Sequence, residues 1–270
     1  MSKKTKTIFI TGGGSGIGRA IAQRYAREGW LVGLGDVDEA GMAETAALLP
    51  AGMSSSHRLD VRNSAEWRAA LAEFAERSGG RLDVLANNAG VGHGGTITEL
   101  SEAQIDQLVD VNLKGVIHGA RAAHPWLLAS APGSCLINTA SASALYGIGG
   151  MSVYSATKFA VRALTEALDT EWQDDGIKVA ALFPGFIDTP LLAQPANQHS
   201  NIPKRETVIA AGMPFVPVED VAEAAWQAAH DRKMHHYIGS TARQMALAAR
   251  FAPAYLRRRS RKLMKVRLGE

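Results

Sequence analysis

Along the chain, short unbroken apolar runs alternate with longer stretches in which apolar residues recur every three or four positions. The runs fall at 8–10, 30–34, 84–86, 135–138 and 179–183, and each has the length of a strand covered on both faces. Between them, 18–28, 64–77, 102–130 and 152–174 carry helical spacing, and a further helix at 218–230 precedes a sixth strand near 235–239. This alternation predicts one doubly wound α/β domain of Rossmann type: a parallel sheet of about seven strands, helices on both faces and right-handed crossovers. Residues 188–214 are polar and proline-rich, and they read as a long excursion or lid.

Composition changes this picture in one place. A length of 270 residues and 46% apolar content suit a single well-packed domain. The single Cys135 excludes an internal disulfide, and its neighbours Leu136 and Ile137 put it in a buried strand as an inert thiol. No apolar run reaches 18 residues and the basic N-terminus has no signal-length apolar core, so a cytoplasmic protein is expected. The net charge of +3, however, is unevenly spread: residues 242–270 carry nine Lys/Arg and one Glu, whereas 1–241 is net −5. The chain therefore divides into a body, 1–241, and a basic C-terminal extension, 242–270. Nucleic acid is not an expected partner, because a short basic tail supplies affinity without a reading element. Within the extension, 243–252 is an apolar-rich helix. Residues 256–268 intersperse Leu256, Leu263, Met264, Val266 and Leu268 among seven cations. Such a composition suits peripheral contact with an anionic membrane, a solvated charged tail, or docking on the acidic body of a neighbouring subunit.

The candidate chemistry begins at TGGGSGIG, residues 11–18, directly after the first strand. A glycine turn there places a helix N-terminus where a dinucleotide pyrophosphate would sit. The stretch does not fit G-x-G-x-x-G and lacks the Lys-Ser/Thr of a triphosphate loop; it fits T-G-x-x-x-G-x-G through Thr11, Gly12, Gly16 and Gly18. Asp36, at the end of the second strand, stands where a carboxylate would accept hydrogen bonds from the adenine ribose. It would repel a 2′-phosphate, which favours NAD(H) over NADP(H). Arg19 is the counter-indication. Tyr154 and Lys158 then stand at i and i+4 on one helix face. An ammonium there favours phenolate and lets Tyr exchange a proton with an alcohol or carbonyl. No metal is expected.

Further motifs follow in order: LDV at 59–61, NNAG at 87–90, VNLKG at 111–115, NTASA at 138–142 and PGFIDTP at 184–190. With the glycine turn and the Tyr-x-x-x-Lys pair, they resemble the short-chain dehydrogenase/reductase family over roughly residues 7–190. The resemblance implies Tyr154 as proton donor or acceptor and Lys158 as the group that lowers its pKa and holds the nicotinamide ribose. Ser141 would bind the substrate oxygen, with Ser143 as its rival, and Asn112 would hold a water next to Lys158. It implies a cofactor wall of Gly12, Ser15, Gly16, Ile17, Gly18, Asp36, Asp60, Val61, Asn88, Ala89, Gly90, Tyr154, Lys158, Pro184, Gly185, Ile187 and Thr189, with Asn87 lining the cofactor and steadying the sheet. Ser152 and Ser155 read as capping or solvent-facing residues, and His93 as an ordinary loop histidine. The expected activity is NAD(H)-dependent interconversion of an apolar alcohol and its carbonyl compound, in a homodimer or homotetramer. The alternative is a non-catalytic dinucleotide sensor or scaffold on the same fold. HHYIGS replaces the acidic-glycine signature through which many family members build tetramers. Phe186, Leu191, Leu192, Ile202, Ile209 and Met213 in or beside the lid point to an apolar substrate.

Overall fold

The computed structural model describes residues 5–193 and 202–268. Its strands are β1 (Thr7–Thr11), β2 (Leu31–Asp36), β3 (Ser54–Arg58), β4 (Val84–Asn87), β5 (Cys135–Thr139), β6 (Lys178–Pro184), β7 (Phe186–Ile187), β8 (Phe215–Val216) and β9 (His235–Ile238). Seven of them form one parallel sheet in the order β3-β2-β1-β4-β5-β6-β9, and β7 pairs with β8 apart from it. The helices are α1 (Gly16–Arg27), α2 (Glu39–Ala47), α3 (Ser64–Ser78), α4 (Glu102–Val109), α5 (Gly115–Ala129), α6 (Ser152–Glu171), α7 (Pro190–Ala193), α8 (Lys204–Ala210), α9 (Val218–His230), α10 (Gly239–Phe251) and α11 (Pro253–Leu268).

The period-two geometry of strands sorts the apolar runs onto two faces. Ile8, Ile10, Val32, Leu34, Ala86, Ile137 and Leu182 pack with Ile21 and Tyr25 of α1 and Val221 and Ala225 of α9. Phe9, Leu85, Leu136 and Val179 point the other way, against Trp67 and Phe74 of α3, Ala120 of α5 and Leu168 of α6. Both faces are covered, so the strands read as continuous apolar runs rather than as alternation.

Three features depart from the sequence reading. The strand without an apolar run is β3, SSSHR; it lies at the sheet edge with β2 as its neighbour and is partly exposed, so nothing selects for an apolar run there. The helical stretch 102–130 is broken by a π-helical turn at Asp110–Lys114, between α4 and α5. The expected lid at 188–214 is described on both sides of 194–201, which lie outside the described residues. It contains α7 and α8, and the short strand β8 follows directly after it.

Strand order reverses between β1 and β4, so the loops leaving their carboxyl ends diverge and open a crevice. The motifs singled out above fall on the loops and helix ends around it.

Candidate functional site

On one side of the crevice the wall is main chain. Gly12 adopts φ +68°, and a Cβ there would press on the Asn88 side chain and the Ala89 backbone. A Cβ on Gly18 would overlap the Gly12 carbonyl itself. Gly18 lies outside both cavity linings, so its part is to let α1 close on the turn rather than to touch a ligand. Thr11 ties the turn to the loop after β4: its hydroxyl accepts from the Asn88 and Ala89 amides at 3.0 and 3.1 Å, and its carbonyl accepts from Asn88 Nδ2 at 3.0 Å. The α1 N-terminus carries no side-chain cap and no acidic residue in its first turn, which leaves its amides and positive dipole end for an anion. Gly13 and Gly14, which have no assigned part in the motif, also sit close to neighbours: a Cβ would stand 3.1 Å from the Leu34 side chain and 3.1 Å from Asp36 Oδ2, respectively.

Asp36 closes this wall. Its carboxylate accepts from the Gly14 amide at 2.9 Å and the Asp38 amide at 3.1 Å. Arg19 donates to the Gly14 carbonyl at 2.6 Å and, on α2, to the Thr45 hydroxyl at 2.9 Å and Glu44 at 2.8 Å. Asp60 is gripped by the Arg62 guanidinium, which holds its carboxyl below the usual range against the opposing effect of partial burial. Gly12, Ser15, Gly16, Ile17, Asp36, Asp60, Val61, Asn88, Ala89 and Gly90 together line a cavity of about 350 Å³.

A second cavity, of about 580 Å³, shares Ile17, Asn88, Gly90, Val91, Thr189 and Leu191 with the first. Ser141, Tyr154, Lys158, Pro184, Gly185 and Ile187 also line it. Ser141 stands where the chain leaves β5, its hydroxyl fixed by the Ser143 amide at 3.1 Å. α6 presents Tyr154 and Lys158 one turn apart, with the Lys158 ammonium 5.8 Å from the Tyr154 ring centre. Lys158 is buried and donates to the Thr139 carbonyl at 2.8 Å; burial pushes its pKa down to about 8. Burial pushes Tyr154 up, and a hydrogen bond with Ser141 pulls partly back. The expected lowering of Tyr154 by Lys158 does not appear among these influences: burial sets the direction and keeps Tyr154 protonated at neutral pH.

Other expectations change in detail. Asn112 is buried in the π-helical turn, behind the cavity wall rather than on it, and its side chain exchanges two 2.8 Å hydrogen bonds with the Val91 backbone. Asn87 does not line the crevice. It is buried beneath the sheet, donating to Asn138 at 3.0 Å, and Asn138 donates in turn to Thr165. Ser155 is buried and accepts from the Ile148 amide rather than facing solvent, whereas Ser152 is exposed. His93 pairs with Gln107 and lies outside both linings. Of the six apolar lid residues, Phe186, Leu191, Leu192 and Ile202 line the larger cavity; Ile209 and Met213 do not. Sequence reasoning missed Met151, Lys204 and Met264 as lining residues, because no fixed spacing relates them to the motifs.

Comparison with known proteins follows this geometry closely. A family model described as short chain dehydrogenase matches residues 6–200. The chain is 38% identical over 190 residues to the 2,5-dichloro-2,5-cyclohexadiene-1,4-diol dehydrogenase LinX of Sphingobium indicum, covering 70% of this chain and 75% of that protein. It is 36% identical over 231 residues to an L-2,3-butanediol dehydrogenase of Corynebacterium glutamicum, covering 81% and 89%. Among solved structures, a short chain dehydrogenase/reductase from Burkholderia phymatum in complex with NAD superposes with a TM-score of 0.83 at 30% identity, covering 95% of this chain and 96% of that one. The reversed strand order, the glycine turn at its crevice and these matches make the chain a member of the short chain dehydrogenase family.

Proposed function

We propose that this protein is an NAD(H)-dependent oxidoreductase of the Tyr-x-x-x-Lys type that interconverts an apolar primary or secondary alcohol and its carbonyl compound. In this reading residues 1–241 are the catalytic body, 188–214 its lid and 242–270 an extension. The observation that carries it is one cavity lined by Ser141, Tyr154 and Lys158 whose wall is continuous with the cavity of the glycine turn.

The smaller cavity suits the adenosine and pyrophosphate part of a dinucleotide. Its wall is glycine main chain that a Cβ would fill, at a helix N-terminus without an acidic residue. Asp36 presents a carboxylate for ribose hydroxyls, and Arg19 is already engaged by Glu44, which supports NAD(H) over NADP(H). The cofactor, when bound, supplies hydride chemistry. The protein's own residues handle the proton. Tyr154, protonated at neutral pH, donates to the oxygen of a carbonyl substrate, and its phenolate takes the proton back in alcohol oxidation. Ser141 donates to the same oxygen as charge develops. Lys158, with its pKa near 8, sits beside Tyr154 as the group able to pass a proton onward at mildly alkaline pH. Asn112 acts by holding the Val91 backbone, which keeps Gly90 against Lys158. The larger cavity's Met151, Phe186, Leu191, Leu192 and Val208 favour an apolar substrate, and the similar proteins are named for small diols.

The test is turnover of a panel of apolar alcohols and diols with NAD⁺ and with NADP⁺. Turnover that is faster with NAD⁺ is the expected result; a preference for NADP⁺ contradicts the reading of Asp36, and cofactor binding with no turnover across the panel favours a sensor.

A further inference from the structure

The end of α10 and the start of α11 meet at a corner where residues 250–255 are all exposed. Leu247 and Phe251 share one face of α10, four residues apart, and Tyr255 follows four residues later. They are 64%, 73% and 55% exposed, and the first two are the most exposed large apolar side chains among the described residues. Single exposed apolar residues are ordinary; three on one corner mark a contact surface. Leu256, next in the chain, is buried, α11 packs on α10, and Met264 further along α11 reaches the larger cavity, so the corner is held on both sides.

The surroundings select the partner. Arg243, Arg250, Arg257, Arg258 and Arg261 are exposed around this corner. The Arg250 guanidinium lies 5.3 Å from the Phe251 ring centre, and Arg259 donates to the Tyr255 hydroxyl at 3.5 Å. No Asp or Glu occurs between Asp231 and Glu270. An isologous contact with a second copy would bring these arginines face to face, and a stable dimer needs roughly 800 Å² of complementary surface from each subunit. An anionic bilayer suits both parts: apolar side chains enter at headgroup depth while guanidinium groups meet lipid phosphates.

We propose that the α10–α11 corner docks this protein on anionic membrane surfaces, with Leu247, Phe251 and Tyr255 entering the headgroup layer. α11 then leads back to the larger cavity. Met264 lines it, with its sulfur 3.2 Å from where a Cβ on Gly149 would stand. The docking helix is thus also a cavity wall, which sets an apolar substrate dissolved in the bilayer beside the site. That last consequence rests on the proposed function; the docking does not.

The test is sedimentation of the full chain with vesicles of phosphatidylcholine alone and of phosphatidylcholine mixed with phosphatidylglycerol. Expected is binding to the mixed vesicles only, reversed at about 0.5 M salt, where screening reaches within a few ångströms. A Phe251→Ser/Tyr255→Ser double variant should bind about tenfold more weakly or worse, with unchanged thermal unfolding and unchanged turnover of a water-soluble substrate. Equal binding to both vesicle types overturns the proposal, as does undiminished binding by the double variant. So does wild-type protein that ignores both vesicles while the double variant falls to a smaller assembly by light scattering. Vesicle binding by a chain that turns over no soluble alcohol would sink the proposed function and leave the docking intact.

Discussion

The wall around the glycine turn and the wall around Leu192 face the same crevice, yet they are built differently. The first is main chain: Gly12 fits beneath Asn88 and Ala89, Gly18 against the Gly12 carbonyl, and Asp36 is fixed by two backbone amides. The second is side chain: Leu191, Leu192, Ile202, Val208 and Met264 arrive from α7, α8, the segment before it and α11. Main-chain sterics admit one residue type at a fixed spacing. Side-chain packing admits many, provided volume and polarity are kept. Under the proposed function, the same crevice therefore combines an exacting cofactor wall with a permissive substrate wall.

Substitutions should separate the two walls by the size of their effect. Gly18→Ala is the harshest, because its Cβ meets backbone that cannot swing aside. A loss of ~4 kcal/mol or more in stability is expected, read by thermal unfolding, together with loss of dinucleotide binding. Lys158→Met should lower turnover by about 10²- to 10⁴-fold while the fold is kept. It also tests the pKa. Native Lys158 releases its proton near 8 and the unfolded chain near 10.5, so the unfolded state binds more protons between these values. Wild-type stability, measured against Lys158→Met, should accordingly rise as pH goes from about 8 to about 10.5, and the gain should be lost as pH falls back through 8.

Milder effects follow. Asp36→Ala removes a charged acceptor worth about 1.5–3 kcal/mol, or roughly 10- to 100-fold in NAD(H) affinity, and should leave NADP(H) far less affected. Equal weakening of both cofactors in a titration would place Asp36 in turn stability alone. Leu192→Ala should be the smallest. Loss of a partly buried side chain costs about 1 kcal/mol, close to fivefold in KM for an apolar substrate, with kcat unchanged. A Leu192→Ala effect as large as that of Asp36→Ala would erase the contrast between the walls.

That contrast also governs how much the sequence discloses. The continuous runs at β1, β4, β5 and β6 name strands because both faces of those strands are buried. SSSHR does not, because an edge strand pairs by backbone whatever its side chains. Gly12, Gly18, Tyr154 and Lys158 are legible because turn sterics and helix pitch fix their separation. Met264 is not. It stands 110 residues beyond Tyr154, and the fold of α11 alone brings it to the cavity. Asn87 and Asn112 were legible only through the NNAG and VNLKG motifs, and their partners were not legible: Asn138 and the Val91 backbone are set by strand register and the π-helical turn. The direction of the Tyr154 shift was likewise hidden, since burial depends on everything packed around the ring.

The central claim is that Tyr154 moves the substrate proton. Its most direct test is single-turnover hydride transfer from bound NADH to a carbonyl substrate, followed by nicotinamide absorbance, in wild type and Tyr154→Phe. The account predicts NADH binding within about twofold of wild type and a transfer rate lower by about 10²- to 10⁴-fold. A Tyr154→Phe enzyme that binds NADH and transfers hydride at close to the wild-type rate would contradict it.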